Sequence, residues 1–254
     1  MNARFGTGST GDQTSLTVNG TVVLADASGA LFWPDRGLLV VADLHLEKGT
    51  AFAGRGTLLP PYDTAATLAR LEAVCRRLAP RRVLCLGDSF HDPRAGARVS
   101  AGDGRRLAGL IQAHDWLWVV GNHDPAPPPD WGGQVVDDWV EGPLIFRHEA
   151  QITAPGDITP AGEISGHYHP KASVPTRARR VGGRCFVTDG QRLVLPAFGA
   201  YTGGLDVREA ALRRLFPGAF SIVLLHRDRG YAFHSSHILG NHILGPDLAD
   251  TGTY

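Results

Sequence analysis

Residues 37–45 read Gly-Leu-Leu-Val-Val-Ala-Asp-Leu-His, an apolar run that ends in an aspartate and a histidine. Three later stretches follow the same plan: residues 82–88 end in Gly-Asp, residues 116–123 in Gly-Asn-His, and residues 143–148 in a histidine. Short apolar runs bounded by glycine, proline or polar residues predict strands that are buried on both faces. Open α/β sheets place their sites just beyond the carboxyl ends of such strands, so we expect these polar residues to lie together.

The order of the predicted elements indicates the fold class. Helices are predicted at residues 60–78 and 105–114, each between strands, and this β-α-β order implies parallel pairing with right-handed crossovers. From residue 131 onwards strands dominate, including one predicted at residues 135–140, with a short helix predicted at residues 207–215. We therefore predict an α/β protein, a four-layered α/β/β/α sandwich in which two mixed sheets pack face to face with helices outside.

The composition narrows the class of protein. The 254 residues include 25 basic and 25 acidic side chains, and a net charge of zero argues against a general nucleic-acid coat. The three cysteines lack paired spacing, which favours a reducing cytoplasm. No stretch has the apolar length of a signal peptide or a membrane span, so we expect a cytoplasmic protein. We predict one domain over residues 15–233, a disordered N-terminus over residues 1–14 and a flexible tail over residues 234–254.

Five polar motifs stand in fixed order along the chain and carry its chemistry. They are Asp-Leu-His at residues 43–45, Gly-Asp at 87–88, Gly-Asn-His-Asp at 121–124, His148, and Gly-His-Tyr-His at 166–169. Together they offer carboxylates, an amide and several imidazoles, the donor set of two adjacent divalent cations with a separate proton donor. Imidazole ligands favour manganese, iron or zinc over calcium. The glycines in these motifs permit sharp turns and close approach to a metal or phosphate.

The motif order D-x-H, G-D, G-N-H-[DE], H, G-H-x-H, which spans residues 43–169, resembles that of the calcineurin-like metallophosphoesterase superfamily without a gap. Residues 41–49, 166–170 and 195–204 are similar, within that superfamily, to the bacterial ligase-associated DNA-damage-response endonucleases of the PdeM family. The resemblance implies the same four-layered sandwich and a metal-dependent phosphodiesterase that cuts DNA in repair. It also implies a functional association with an ATP-dependent DNA ligase and a helicase.

The resemblance further implies which residues hold the two ions, with manganese the expected metal and iron or zinc the alternatives. The first ion's expected ligands are Asp43, His45 and His169. The second ion's expected ligands are Asn122, His148 and His167. Asp88 is expected to bridge the ions, because a carboxylate can offer one oxygen to each. A water between two ions roughly 3.5–4 Å apart would lose its proton near neutral pH and attack phosphorus in line.

The remaining motif residues are candidates for catalysis. His123 is expected to stabilise charge at phosphorus and to protonate the leaving oxygen, because Asn122 already fills the ligand position of that motif. Asp124 would orient His123, or would be an ordinary turn aspartate. His91 ends a Gly-Asp-Ser-Phe-His stretch that resembles double-strand-break-repair nucleases of the superfamily. It would help to position a diester, or would only pack on its loop.

Three further residues are candidates for substrate binding. Tyr201 would stack on a base or fill the rim of the site. Arg177 and Arg180 belong, with Arg179 and Arg184, to an arginine cluster that would contact phosphates or lie on a surface loop. The favoured function is a DNA phosphodiesterase, and the alternatives are a phosphoesterase for small nucleotides or dinucleotides and an inactive interaction scaffold.

Overall fold

The computed structural model describes residues 9–10, 12–53, 62–123, 131–152, 161–176 and 179–240. The candidate residues Asp124 and Arg177 lie outside these ranges, and so do most of the two segments that were predicted to lack fixed structure. The described parts of those two segments contain short strands near the N-terminus and a short helix at Ser235–Leu239. No helix of the described residues has the length and apolar character needed to cross a bilayer.

The first sheet has eight strands in chain order, and its second half carries the site. Its strands are β1 Ser9–Thr10, β2 Gln13–Val18, β3 Thr21–Asp26, β4 Leu31–Trp33, β5 Leu38–Val41, β6 Arg82–Leu86, β7 Asp115–Val119 and β8 Gln134–Val136. Neighbours from β1 to β5 pair antiparallel, whereas β5 to β8 pair parallel. Helices α1 Lys48–Ala53, α2 Asp63–Leu78 and α3 Ala101–Ala113 occupy the connections before β6 and β7. The β-α-β prediction for this half is confirmed.

The second sheet is also mixed and is built from the second half of the chain. Its strands are β9 Asp138–Glu141, β10 Leu144–Arg147, β11 Gly162–Ser165, β12 Lys171–Pro175, β13 Arg180–Thr188, β14 Arg192–Val194, β15 Ser221–His226 and β16 Arg229–His234. The order across the sheet is β16-β15-β13-β14-β11-β10-β9, and β12 pairs separately with β13. Strands β10, β11 and β14 pair parallel, and the other neighbours pair antiparallel. Helix α4 Ala210–Leu215 lies between β14 and β15, and helix α5 Ser235–Leu239 follows β16.

Three apolar layers hold the sandwich together. Leu86 and Val119 of the first sheet pack against Phe146 and Ile164 of the second, and all four are nearly fully buried. A second layer lies between α2, α3 and the first sheet, and a third lies between the second sheet and α4 and α5. Each buried side chain of this size contributes about 1.5–3 kcal/mol to folding. The predicted four-layered sandwich is confirmed.

Two local predictions differ from the structure. The stretch at residues 135–140, expected to be one strand, is divided into β8 of the first sheet and β9 of the second, so the chain passes between the sheets at Asp137. Helix α3 begins at Ala101 and not near residue 105, because the Ser100 hydroxyl accepts a hydrogen bond from the Asp103 amide and caps the helix. Gly102 and Gly104 have low helix propensity, so the first turn of α3 is not predicted from the sequence.

Candidate metal centre

The expected metal ligands follow strands that end on one side of the sandwich. Asp43 and His45 follow β5, Asp88 follows β6, Asn122 follows β7, His148 follows β10, and His167 and His169 follow β11. Since β5, β6 and β7 run parallel, their carboxyl ends meet at one edge of the first sheet, and the same holds for β10 and β11 in the second. An open α/β sheet places its ligand site at this kind of edge.

The backbone at most of these ligands adopts a conformation that side chains normally avoid. The left-handed φ angles are 54° at Asp43, 44° at His45, 46° at Asp88, 67° at His167 and 45° at His169. Each such residue costs on the order of 1–3 kcal/mol, and strain of this kind concentrates at functional sites. The chain therefore accepts local strain in order to turn these side chains inward.

Two glycines bring the ligand loops closer than any other residue would allow. A Cβ at Gly87 would lie 2.2 Å from Nδ1 of His148, and Gly87 itself has a φ of +74°. A Cβ at Gly166 would lie 2.7 Å from Oδ2 of Asp43. The glycine in each motif is thus required for the approach of one ligand loop to another.

The first expected ion has three converging ligand atoms. The His169 Nε2 lies 3.2 Å from Asp43 Oδ1 and 3.4 Å from Nε2 of His45. The other ring nitrogen of His45, Nδ1, is buried and has no hydrogen-bond partner among the described residues. Burial lowers the pKa of His45 to about 4, in spite of the opposing charge of Asp43, so its imidazole is neutral and able to bind a cation.

The second expected ion has a matching group on the other side of Asp88. The Nδ1 of His148 donates to the main-chain oxygen of Leu86 at 3.1 Å. Its Nε2 therefore faces the centre, where it lies 3.5 Å from Oδ2 of Asp88 and 3.2 Å from Nδ1 of His167. Burial would lower the pKa of His148, but its hydrogen bond to Asp88 and the charge of Asp43 raise it to about 9. Burial and the neighbouring His148 lower the pKa of His167.

Asp88 occupies the position of a bridge between the two groups. Its Oδ2 lies 3.5 Å from His148 Nε2 and 3.8 Å from His45 Nε2, so it approaches one imidazole of each group. Burial would raise the pKa of Asp88. The hydrogen bond between Asp88 and His148, and the hydrogen bond that the main-chain amide of His123 donates to Asp88, hold that pKa well below its usual range. Asp88 is therefore an ionised carboxylate between two sets of imidazoles.

The donor set fits two divalent cations. Asp43, His45 and His169 bring one ligand atom each within 4.8 Å of one another, and so do Asp88, His148 and His167. Imidazole nitrogens face each other and a carboxylate oxygen in each group, and a cation between them would compensate this arrangement. The first group contains the three ligands that the resemblance implies for the first ion, and the second contains His148, His167 and the expected bridge Asp88, whereas Asn122 is not part of it.

His123 lies beside the ligands and is itself half exposed. Its Nδ1 donates to the main-chain oxygen of His91 at 3.1 Å, and its Nε2 lies 4.0 Å from Asp88 Oδ2. The ring of His123 stacks on that of His91, with centroids 5.6 Å apart, and both rings contact His45. The described partner that orients His123 is therefore a carbonyl of the His91 loop, whereas Asp124 lies outside the described residues.

The expected ligand Asn122 and the substrate-binding candidates Tyr201 and Arg180 lie in three different parts of the structure. Asn122 is exposed and lines a cavity of about 270 Å³ together with His148. Tyr201 is half-buried on a loop that packs on the Asp43 segment. Arg180 is exposed at the start of β13 and donates hydrogen bonds to Ser173.

Three groups near the site were not found by the sequence reasoning. Two are the main-chain oxygens of Leu86 and His91, which orient His148 and His123 respectively. A main-chain oxygen is present at every residue, so a sequence motif does not reveal its role. The third is Glu149, whose Oε1 lies 3.7 Å from His167 Nε2 and 3.5 Å from the Tyr168 hydroxyl. Its position directly after the ligand His148 is the one signal in the sequence that would have found it.

Comparison with known proteins bears on this centre. The chain is similar to the solved Pseudomonas putida nuclease MPE, with 29% sequence identity and a TM-score of 0.68 over 87% of this chain and 100% of that one. The E. coli phosphoesterase YfcE covers 79% of this chain at 12% identity, and a predicted phosphoesterase from Streptococcus pneumoniae covers 78% at 13% identity. These two similarities cover 98% and 96% of the other chains, with TM-scores of 0.38 and 0.33. No protein-family model matches the chain. No curated protein matches it either.

The motif order, the confirmed fold and the likeness to the nuclease together support a calcineurin-like metallophosphoesterase. It is an enzyme, a metal-dependent phosphoesterase, and its two groups of aspartate and histidine side chains are candidates for holding divalent cations.

Proposed function

We propose that the chain is a manganese-dependent phosphodiesterase that cuts DNA. The observation that carries this proposal is the position of His91, which ends the Gly-Asp-Ser-Phe-His stretch and holds His123 beside Asp88 through its carbonyl oxygen. The 29% identity to a protein described as a nuclease supports it. The mixed oxygen and imidazole ligands suit manganese, with iron and zinc as alternatives.

The proposed division of work follows from the geometry. Bound divalent ions would lower the charge on the phosphate oxygens and supply the activated water for an in-line displacement. Asp43, His45 and His169 would hold one ion, Asn122, His148 and His167 the other, and Asp88 both. His123 keeps Nδ1–H on the His91 oxygen, so its Nε2 faces the centre; in the doubly protonated ring, Nε2–H would pass its proton to the leaving oxygen and leave the neutral Nδ1–H imidazole.

Phosphate positioning is proposed for groups around the open side of the centre. The half-exposed His123 and the stacked His91 present two imidazoles there. Tyr201 would stack on a base, and Arg177 and Arg180 would contact more distant phosphates. Arg184 of the same arginine cluster is excluded from this role, because it is turned inward and donates to the main-chain oxygens of Ala197 and Ser28.

One observation favours the alternative of a small nucleotide substrate. The cavity beside Asn122 and His148 is also lined by Asp137, Asp138 and Glu149, and its one arginine, Arg147, is paired with Asp138 at 2.9 Å. A surface with this charge repels the backbone of a polynucleotide that would run along it. A single nucleotide over the metal centre avoids that repulsion.

The experiment that decides between these substrates is a side-by-side hydrolysis assay with manganese. The assay supplies a model aryl diester, single-stranded DNA, duplex DNA and mononucleotides at equal phosphate concentration. Release of the product is measured for the small substrates, and gel electrophoresis detects cleavage of the DNA. The proposal predicts turnover of the diester and of DNA, and little of the mononucleotides. Efficient cleavage of mononucleotides with both DNAs intact would instead establish the small-molecule phosphoesterase.

We further propose that the enzyme acts in DNA repair together with an ATP-dependent DNA ligase and a helicase. This proposal is supported by the sequences of residues 41–49, 166–170 and 195–204, which are similar to those of ligase-associated endonucleases. Cells that lack the enzyme should then lose resistance to DNA-damaging agents, and the catalytic variant His123→Ala should fail to restore it. Full restoration by that variant would contradict a role of DNA cleavage in repair.

A further inference from the structure

Residues 195–205 form a brace segment that touches both loops carrying the first ion's ligands. At one end, the amide of Phe198 donates to the oxygen of Ala42 at 2.7 Å, and the amide of Gly199 donates to the oxygen of Asp43 at 3.1 Å. At the other end, the amide of Leu205 donates to the oxygen of Tyr168 at 3.4 Å. Asp43 and His45 lie on the first of these loops and His169 on the second, so the brace segment joins all three ligands.

The contact between the brace segment and the ligand loops is backbone against backbone. A Cβ at Gly199 would lie 2.2 Å from the oxygen of Leu44, and a Cβ at Gly204 would lie 2.2 Å from the oxygen of His169. No side chain fits at either point, since real Cβ contacts are never this short. A displacement of the brace segment would therefore move the ligand loops with it.

Two arginines from different layers of the sandwich hold this segment. Arg184 of β13 donates through Nη1 to the oxygen of Ala197 at 2.7 Å and through Nη2 to the oxygen of Ser28. Arg70 of α2 donates to the oxygen of Phe198, and its guanidinium lies 4.5 Å over the centre of that ring. The hydroxyl of Thr67, one helical turn before Arg70, accepts from the amide of Ala200 at 3.1 Å.

Neither of these arginines forms an ion pair with a carboxylate in the part of the chain that the structure describes. Burial lowers the pKa of Arg70 to about 10, with a further contribution from the charge of Arg184, and burial lowers the pKa of Arg184 too. By contrast, Arg77 on the same helix is paired with Asp26 at 2.8 Å. A half-buried cation without a counter-charge costs free energy, so its main-chain contacts have to offset that cost.

We propose that Arg70 and Arg184 are positioning residues for the first metal ion. They fix residues 197–199 against Ala42 and Asp43, and thereby set the spacing of Asp43, His45 and His169. The inference rests on the proposed two-ion function. Arginine suits this task better than lysine, because its planar fork donates to two carbonyls at once while its face packs on an aromatic ring.

The test compares the variants Arg184→Met and Arg70→Met with Arg76→Met, a control that removes an exposed arginine from the same helix α2. Manganese binding is measured by calorimetry, and the coupling of the two ions by electron paramagnetic resonance. The two binding steps are assigned with His169→Ala, which removes a ligand of the first ion, and His167→Ala, which removes one of the second. Turnover of the aryl diester is measured at limiting and at saturating manganese.

We expect Arg184→Met and Arg70→Met to weaken the first ion's binding by about ten- to a hundredfold, as changes behind metal ligands do. The second ion's binding should stay within about threefold, and Arg76→Met should leave both steps unchanged. Saturating manganese should restore most of the turnover, which a general loss of folding would not allow. Arg184→Lys should recover only part of the affinity, because lysine lacks the second donor.

Wild-type affinity for both ions in folded Arg184→Met and Arg70→Met would overturn the inference. If both variants fail to fold, Thr67→Val decides, because it preserves shape and removes only the acceptor for Ala200; it should weaken the first ion's binding severalfold, and an unchanged isotherm would overturn the inference. Failure of the function itself is distinguishable, since the wild-type enzyme would then bind no ion pair or leave the diester intact.

Discussion

The two metal groups differ in how the chain encloses them. The first has Asp43 fully buried and His45 nearly so, and the brace segment at residues 195–205 joins its ligand loops. The second opens at Asn122, which is exposed and borders the cavity beside His148. A site held from both sides is preorganised, whereas a site with an exposed ligand can exchange its ion and admit substrate. We therefore expect the first ion to bind more tightly than the second.

The largest effect is expected where the two groups meet. Asp88→Asn replaces the ionised carboxylate that approaches His45 and His148 by a neutral amide, which is a poor bridge between two cations. Turnover should fall below detection, and metal content should fall to at most one ion per chain. Two ions per chain with normal turnover in this variant would contradict the bridging role.

His123→Ala breaks chemistry while sparing both metal groups. The ring of His123 donates to the His91 oxygen and lies 4.0 Å from Asp88, beside the ligands and not among them. Turnover should fall by about a hundredfold to ten-thousandfold, with metal content unchanged. Metal analysis of the same preparation is the control, and parallel loss of an ion would place His123 among the ligands.

A pH titration sharpens the comparison between the groups. His148 of the second group has its pKa raised to about 9, whereas the pKa of His45 in the first is lowered to about 4. Without metal, the protonated His148 stabilises the fold below pH 6.5, and this contribution is lost as pH rises through about 9. With metal, its proton must leave, so the second ion's affinity should rise about tenfold per pH unit up to about pH 9.

Calorimetry between pH 7.5 and 8.5 in buffers of different ionisation enthalpy checks this expectation. Binding of the first ion should release almost no proton from His45, which is already neutral at this pH. Binding of the second ion should release about one proton from His148. Equal proton release in the two binding steps would show that the hydrogen bond between His148 and Asp88 does not govern the second site.

The smallest effect is expected at the exposed arginine of β13. Arg180→Gln removes an exposed positive charge whose guanidinium donates hydrogen bonds to Ser173. If Arg180 contacts a phosphate, the slope of DNA binding against the logarithm of salt concentration should decrease by about one, with turnover of the aryl diester unchanged. An unchanged slope would show that Arg180 is a surface residue of β13 without substrate contact.

Much of the fold and of the centre was predictable because it depends on side-chain type. Apolar runs before Asp43 and Asp88 predicted buried strands, and the structure brings the polar residues after them within reach of one another. Contacts of the main chain were not predictable, since the oxygens of Leu86 and His91 carry no signature in a sequence. Arg184 was placed in a substrate-binding cluster for the same reason: its acceptors are carbonyls that only the tertiary structure brings to it.

The central claim is that two divalent ions lie on either side of the Asp88 carboxylate. Anomalous diffraction from crystals of the wild-type enzyme soaked with manganese tests it most directly. The account predicts two peaks roughly 3.5–4 Å apart, one against Asp43, His45 and His169 and one against Asn122, His148 and His167, with Asp88 between them. The first peak should fill at the lower manganese concentration. A single peak, or peaks away from Asp88, would contradict the account.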